Sequence, residues 1–385
     1  MTMGFRRSIF SLAACCCALS LPASAGPALV YDATSRIVLF AEHADHPWYP
    51  ASLAKLMTAY LVFETWKSGK AERTATLTIS AKANSRPRMR LGLGAGKTIT
   101  YDEAMAALIL YSANDIAVAL AEAVAGSEAL FVEQMNAAAT RLGMASTRYI
   151  NANGLPGEGQ HSTARDLAIL TNAILRDFPE HAELFAAKAA PAGGRTVATH
   201  NPMLLRMLGG DGMKTGFTCS AGYNIVASAT RDGHRLVAIV LGEPTSAKRE
   251  IRTKALLEQG FRTLEPSPES APLLLDTLPI EAFDAEQVRA RNLTKRFKDC
   301  LPPEPELDAD GNPVCQPVKG RRPAKSGTAT RTGKSDPARP VVCAPAVVAK
   351  TKLQTRPVKI MAKQVPAKST NKPGRPINRG KAADF

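Results

Sequence analysis

The sequence predicts a mixed α/β domain built on an antiparallel sheet, with a helical subdomain and a disordered basic tail. Three observations carry this. Short apolar runs at the start of the chain pair as a hairpin, three strand-like runs recur after residue 210, and amphipathic helices fill the interval. The hairpin is Ala28 to Tyr31 and Ile37 to Ala41, joined by the turn-forming stretch Asp32-Ala33-Thr34-Ser35-Arg36. Met213 to Thr218, Tyr223 to Thr230 and Leu236 to Leu241 read as the later strands, with Asp232-Gly233 as a tight turn between the last two. The hairpin is expected to join these three in one sheet.

Between them, Leu53, Leu56, Met57, Tyr60 and Leu61 recur at helical spacing after Pro50, and Gly69 marks a stop. Ala75 to Ile79 reads as a strand. Thr100-Tyr101-Asp102-Glu103 is a capping box that opens a helix through Leu110. Tyr111-Ser112-Ala113-Asn114 interrupts it, and helices follow over Asp115 to Val124, Ala129 to Leu142 and Thr163 to Ile174. Ala247 to Gln259 closes the domain as an amphipathic helix. Beyond it, Leu273 to Ile280 resembles a strand and Ala282 to Phe297 a short helix. No internal repeat is evident.

The chain ends differ from this core. Arg6 and Arg7 precede an apolar run from Ile9 to Leu21 and the small-residue site Ala23-Ser24-Ala25, the pattern of a cleaved export signal. The expected layout is a signal peptide over 1–25, a catalytic domain over 26–265, a linker or reduced second domain over 266–300, and a tail over 301–385. The net charge of +15 is concentrated late. From Arg291 to Phe385 there are 21 basic and 7 acidic residues, an excess of 14. The folded part is thus close to neutral, which removes the argument for nucleic-acid binding. The tail is rich in Pro, Gly, Ser and Thr and cannot bury enough apolar surface to offset ordering entropy. It is either a solvated linker or an electrostatic contact to an anionic envelope surface. No later segment is apolar enough to span a membrane, so a periplasmic or secreted location is expected.

Cys15, Cys16 and Cys17 depart with the signal, leaving Cys219, Cys300, Cys315 and Cys343. Cys300 and Cys315 bracket a short loop and form a candidate bridge, whereas Cys219 reads as a small packed side chain. His43-Ala44-Asp45-His46 has metal-like spacing, but no further converging ligand is evident, and neither a metal nor a cofactor is expected.

Three short motifs carry chemistry. Ser52-Leu53-Ala54-Lys55 places a hydroxyl and an amine on one face of a helix start, so the lysine can act as base for the serine once its pKa falls. Ser112-Ala113-Asn114 sits at a helix break that can expose a hydroxyl and an amide. Lys214-Thr215-Gly216 lies on a strand, where the glycine permits close backbone approach and the other two can bind an anion. Each is weak alone.

In this order and context the three resemble the penicillin-recognising serine enzymes. The flanking stretches Tyr49 to Thr58, Ser112 to Asp115 with Ala117 to Glu122, Asn153-Gly154-Leu155, His161 to Asp166 and Asp211 to Gly216 are similar to the low-molecular-mass D-alanyl-D-alanine carboxypeptidases over roughly Ala28 to Phe261. Ala113 departs from the residues usual at the middle of the second motif. The resemblance implies a β-lactamase/transpeptidase-like fold and removal of the terminal D-alanine from peptidoglycan stem peptides, with β-lactams as inhibitors. It implies Ser52 as nucleophile, Lys55 as base, Ser112 as proton relay and Asn114 as a substrate-positioning amide. Lys214 and Thr215 would hold the substrate carboxylate beside Gly216, with Arg249 nearby. The N–H groups of Ser52 and Phe217 would form the oxyanion hole. It leaves open a D,D-endopeptidase, a β-lactamase and a non-catalytic envelope-binding protein. Against the β-lactamase, Gly157-Glu158-Gly159 lacks the context of a deacylating glutamate. His161 is expected to shape its loop.

Overall fold

The computed structural model describes residues 26–87, 89–264, 272–296 and 300. The expected export signal over 1–25, Cys315, Cys343 and the tail over 301–385 lie outside the described residues.

The chain begins with β1 (Ala28–Asp32) and β2 (Val38–Glu42), the expected hairpin. A 3-10 turn over Ala51–Ala54 leads into α1 (Lys55–Lys67). Then come β3 (Thr76–Thr78), α2 (Ala81–Asn84), β4 (Thr98–Thr100) and α3 (Tyr101–Ala106). Thr100 caps α3 by accepting from Glu103 N–H at 3.3 Å. The helix expected to run to Leu110 instead widens into a π-helical turn over Ala107–Tyr111. The extra residue per turn throws Ser112 into the left-handed region, with φ 64° and ψ 34°. After this break come α4 (Asn114–Ala125), α5 (Glu128–Leu142), α6 (Ala164–Asp177) and α7 (Ala182–Ala186). A small hairpin, β5 (Ala189–Ala192) and β6 (Arg195–Ala198), precedes α8 (Met203–Arg206). The chain then forms β7 (Gly210–Thr218), β8 (Gly222–Arg231), β9 (His234–Glu243), α9 (Ser246–Arg262) and α10 (Ala285–Arg289).

The main sheet has the order β2-β1-β9-β8-β7, so the N-terminal hairpin joins the three later strands, antiparallel throughout. Asp232 and Gly233 both take positive φ, the backbone that a two-residue hairpin turn requires. Alternation along the strands divides the core in two. Leu29, Tyr31, Val226, Val237 and Ile239 face the helical subdomain, where α4 is buried from Asn114 through Ala121. Ala28, Val30, Ile225, Leu236 and Ala238 face α9 through Leu256 and Leu257. Gly260 lets α9 approach the sheet closely: a Cβ there would lie 2.9 Å from Leu236 Cδ1.

The segment after α9 closes onto this domain. Leu273 to Ile280 does not form a strand; Pro272 precedes it, Pro279 interrupts it, and it makes a single bridge, Ile37 to Leu274. Val38 N–H donates to Leu273 O and Leu275 N–H to Arg36 O, which covers part of the open edge of β2. Arg165 ties the segment down by donating to Leu278 O and Pro279 O. The expected helix is α10 continued as a π-helical turn over Ala290–Lys295. Asn292 is buried there, and Leu293 packs on Tyr49, Ala51 and Ala221. The basic run starting at Arg291 therefore belongs in its first residues to the packed segment.

The bridge expected between Cys300 and Cys315 is not formed. Cys300 is bonded to Cys219, with Cα atoms 5.7 Å apart. Cys219 sits in the turn between β7 and β8, and Arg296 donates to Ser220 O at 2.7 Å, so the packed segment delivers Cys300 to that turn. Proximity in sequence misled here. Cys219 is a disulfide partner, not a packed free thiol.

Candidate active site

The three motifs meet between the free edge of β7 and the helical subdomain. Ala51 takes φ 50°, an unusual backbone for alanine, immediately before Ser52. The segment is held from behind by Asn224, whose fully buried amide donates to Tyr49 O at 2.9 Å and Pro50 O at 3.1 Å. Ser52 is half-buried and Lys55 fully buried, one turn later on the same face.

Lys55 Nζ has three partners: Ser52 Oγ at 3.1 Å, Asn114 Oδ1 at 2.8 Å and Asn153 O at 2.6 Å. Burial holds its pKa well below the ordinary lysine value, with Lys214 adding to the shift and Asp115 opposing it. A neutral amine is thereby brought within reach of working pH. Asp115 also shapes the cleft wall, its carboxylate accepting from Leu91 N–H at 2.9 Å and Gly92 N–H at 2.8 Å. Ser112, turned inward by the π-helical break, keeps its Oγ buried with no hydrogen-bond partner. An unsatisfied hydroxyl in a polar cleft is poised for an incoming group.

β7 contributes the opposite wall. Gly216 is needed because a Cβ there would lie 3.1 Å from Ser52 N and 3.2 Å from Pro50 O. Lys214 is buried, with Nζ 3.1 Å from Thr215 O. Thr215 is buried, while Phe217 is exposed and packs on Tyr223 with ring centroids 4.2 Å apart and planes tilted by 32°. Arg249 is not a solvated helix charge. It is buried on α9, donates to Asn224 O at 3.3 Å and Ser246 Oγ at 3.2 Å, and keeps Nε unpaired. Burial, then the charge of Arg249, lowers the Lys214 pKa to about 7.

This has a consequence for stability. Between about pH 7 and the ordinary value of 10.5, the unfolded chain protonates Lys214 more than the folded chain does. Stability attributable to this residue therefore rises with pH across that window and is lowest below it. Chemical denaturation at several pH values is expected to show Lys214→Met gaining most over wild type near pH 7 and least near pH 10. A pH-independent difference would contradict the buried, depressed amine.

Hydrogen bonds join Ser52, Lys55 and Asn114, Gly216 lies against the Ser52 segment, and charge couples Lys214 to Lys55 and Arg249 to Lys214, while Ser112 lies at the break before α4 and Thr215 and Phe217 lie beside Gly216 on β7. His161 shapes its loop, with Nδ1 2.9 Å from Gly159 O, and Glu158 is exposed. Two contributors carry no role in the sequence reading. Asn153 supplies a carbonyl to Lys55, and its motif Asn153-Gly154-Leu155 was the available signal. Asn224 clamps the nucleophile segment, and its signal was a polar residue inside an otherwise apolar strand.

The fully buried Lys55 amine bonded to Ser52, with the charge of Lys214 acting on it, is an arrangement that can activate a serine hydroxyl. Residues 18–245 match the D-alanyl-D-alanine carboxypeptidase family, peptidase S11, and the chain belongs to that family. D-alanyl-D-alanine carboxypeptidase DacA of Haemophilus influenzae is 37% identical over 242 residues, covering 62% of this chain and 62% of the relative. DacA of Escherichia coli K12 is 36% identical over 244 residues, covering 62% and 60%. The match thus spans under two thirds of these relatives. Among solved structures, penicillin binding protein 5 from Haemophilus influenzae aligns with a TM-score of 0.60 at 36% identity, over 62% of this chain and 71% of that one. Penicillin-Binding Protein D2 from Listeria monocytogenes, in its ampicillin-bound form, aligns with a TM-score of 0.55 at 32% identity, over 62% and 97%. The shared fold is the transpeptidase-like one expected.

Proposed function

We propose that this chain is a serine D-alanyl-D-alanine carboxypeptidase that trims peptidoglycan stem pentapeptides and is acylated by β-lactams. The observation that carries the reading is the fully buried Lys55 amine 3.1 Å from Ser52 Oγ. Neutral Lys55 takes the hydroxyl proton as Oγ bonds to the carbonyl carbon between the two D-alanines. The oxyanion that forms is met by the N–H groups of Ser52 and Phe217. The C–N bond then breaks, Ser112 passes a proton to the departing amine, and the proton held by Lys55 replenishes Ser112. Free D-alanine leaves, and water cleaves the ester to regenerate Ser52. Asn114 positions the substrate amide, while Lys214, Thr215 and Arg249 hold the terminal carboxylate. The route draws on no cofactor. The names of the relatives support this reading.

Incubation with a pentapeptide ending in D-Ala-D-Ala, and separately with a fluorescent penicillin, tests it. Released D-alanine together with a stable protein label is expected. Rapid loss of the label would favour a β-lactamase, cleavage confined to cross-linked dimers an endopeptidase, and inertness in both assays an envelope-binding protein.

Among the described residues no helix is long and apolar enough to cross a membrane. Residues 1–25 are read as an export signal that delivers the enzyme to the periplasm, where peptidoglycan is accessible. The basic tail over 301–385 is read as an electrostatic contact to the anionic envelope. Cutting at Arg291, where the charge run begins, would remove buried Asn292 and Cys300, so the informative truncation falls after Pro302. That truncation is expected to leave small-peptide hydrolysis intact and to reduce retention on isolated envelopes at low salt. The difference should fade as the screening length falls to about 8 Å near physiological ionic strength. Unchanged retention would remove the tether; lost hydrolysis would place the tail in the catalytic unit.

A further inference from the structure

We propose that His43, His46 and Glu281 form a Zn²⁺ site that fastens the segment over 272–296 to the loop leading into Ser52. The sequence supplied two histidines at metal-like spacing and no third ligand. The fold supplies Glu281, some 235 residues further along the chain.

The geometry favours a cation over a chance cluster. His43 takes φ 50°, turning the backbone so that His46 N–H donates to His43 O at 3.0 Å. The two imidazoles then stack, with centroids 4.4 Å apart and planes 13° from parallel. Glu281 Oε1 lies 2.9 Å from His43 Nδ1 and 3.9 Å from His46 Nε2, and the three ligand atoms all lie within 4.8 Å of one another. Tetrahedral zinc with bonds of about 2.0–2.1 Å sets its ligand atoms about 3.4 Å apart, so modest side-chain rotation suffices.

The second observation is independent of that spacing. His46 is 6% exposed, and its Nε2 is buried without a hydrogen-bond partner. A buried ring nitrogen left so costs free energy that a metal bond would recover. Phe283 closes over the same ring edge-on at 4.5 Å. His43 and Glu281 remain partly open to solvent, which leaves the fourth position to water.

The surroundings bear on affinity. Asp45 is not a ligand, because Arg165 holds both its oxygens, at 2.5 and 2.9 Å. It instead accepts from Glu281 N–H at 3.2 Å and so fixes the ligand backbone. The positive charge of Arg291 acts on His46 and weakens the site. Two imidazoles and a carboxylate suit Zn²⁺ better than Ca²⁺ or Mg²⁺, which take oxygen ligands.

Titration of the tag-free, metal-stripped full chain with zinc ions alone, by calorimetry, tests the assignment. One zinc per chain is expected at micromolar affinity or tighter, with a rise in the denaturation midpoint. Glu281→Gln and His43→Asn change partly exposed side chains, so the fold should survive, as circular dichroism can check. Each is expected to weaken this binding at least tenfold and to abolish the zinc-dependent rise. Absence of stoichiometric binding would overturn the site. So would zinc binding that both variants leave within a few-fold of wild type, since the ion would then sit elsewhere, for example on the tail cysteines.

Discussion

Ser52→Ala is expected to lower D-alanine release from a pentapeptide by about 10⁴-fold or more, the scale seen when a nucleophile acting in a unit with its base is removed. It should also abolish covalent labelling by penicillin. Two serines lie in the three motifs, and the geometry separates them. Ser52 Oγ is bonded to the amine of Lys55, whereas Ser112 Oγ has no partner. Only the first has a base in place to take its proton. The fold should be unaffected, because Ser52 is half-buried and alanine suits the 3-10 turn. A folded Ser52→Ala protein that still forms a penicillin adduct would place the nucleophile elsewhere.

Lys55→Ala is expected to slow acylation by about 10²- to 10⁴-fold, the contribution of a positioned general base. It also leaves Asn114 Oδ1 and Asn153 O without their bond to the amine, at about 1–3 kcal/mol for a buried unsatisfied polar group. Relief of burying the amine offsets part of that. Lys55→Arg separates base from scaffold. A guanidinium can donate to the same oxygens but stays protonated at any working pH. A base role predicts that Lys55→Arg remains as slow as Lys55→Ala; a purely structural role predicts recovery. Acylation in the wild type should rise with pH as Lys55 loses its proton, and this dependence should vanish in Lys55→Ala.

The sequence made the site legible for a local reason. Ser52 and Lys55 are three residues apart on one helix, so their contact follows from spacing alone. Ser112 and Asn114 flank a helix break, and Lys214 to Gly216 lie on a strand whose apolar context is readable. Their convergence needed the order of the motifs and the resemblance it supports. What spacing does not encode is burial. Nothing local says that the Lys55 amine is fully enclosed, or that Arg249 on an amphipathic helix turns inward beside Lys214. Long-range pairing was likewise out of reach. Cys300 was matched with its neighbour Cys315, although the packed segment carries it to Cys219. Glu281 could not be joined to His43 and His46. The hairpin β5–β6 was missed despite a Gly193-Gly194 turn with both residues at positive φ, because its strands are four residues each and mostly exposed. The strand-like run from Leu273 to Ile280 erred in the other direction: apolar content predicted a strand, and only the single bridge Ile37 to Leu274 forms.

The most direct test of the central claim is to locate the acyl group. Wild-type protein is incubated with penicillin, digested, and the modified peptide sequenced by mass spectrometry. An ester on Ser52, absent after the same treatment of Ser52→Ala, is the predicted result. A penicilloyl group on Ser112 or any other residue, or an unmodified protein that nevertheless releases D-alanine, would contradict the account.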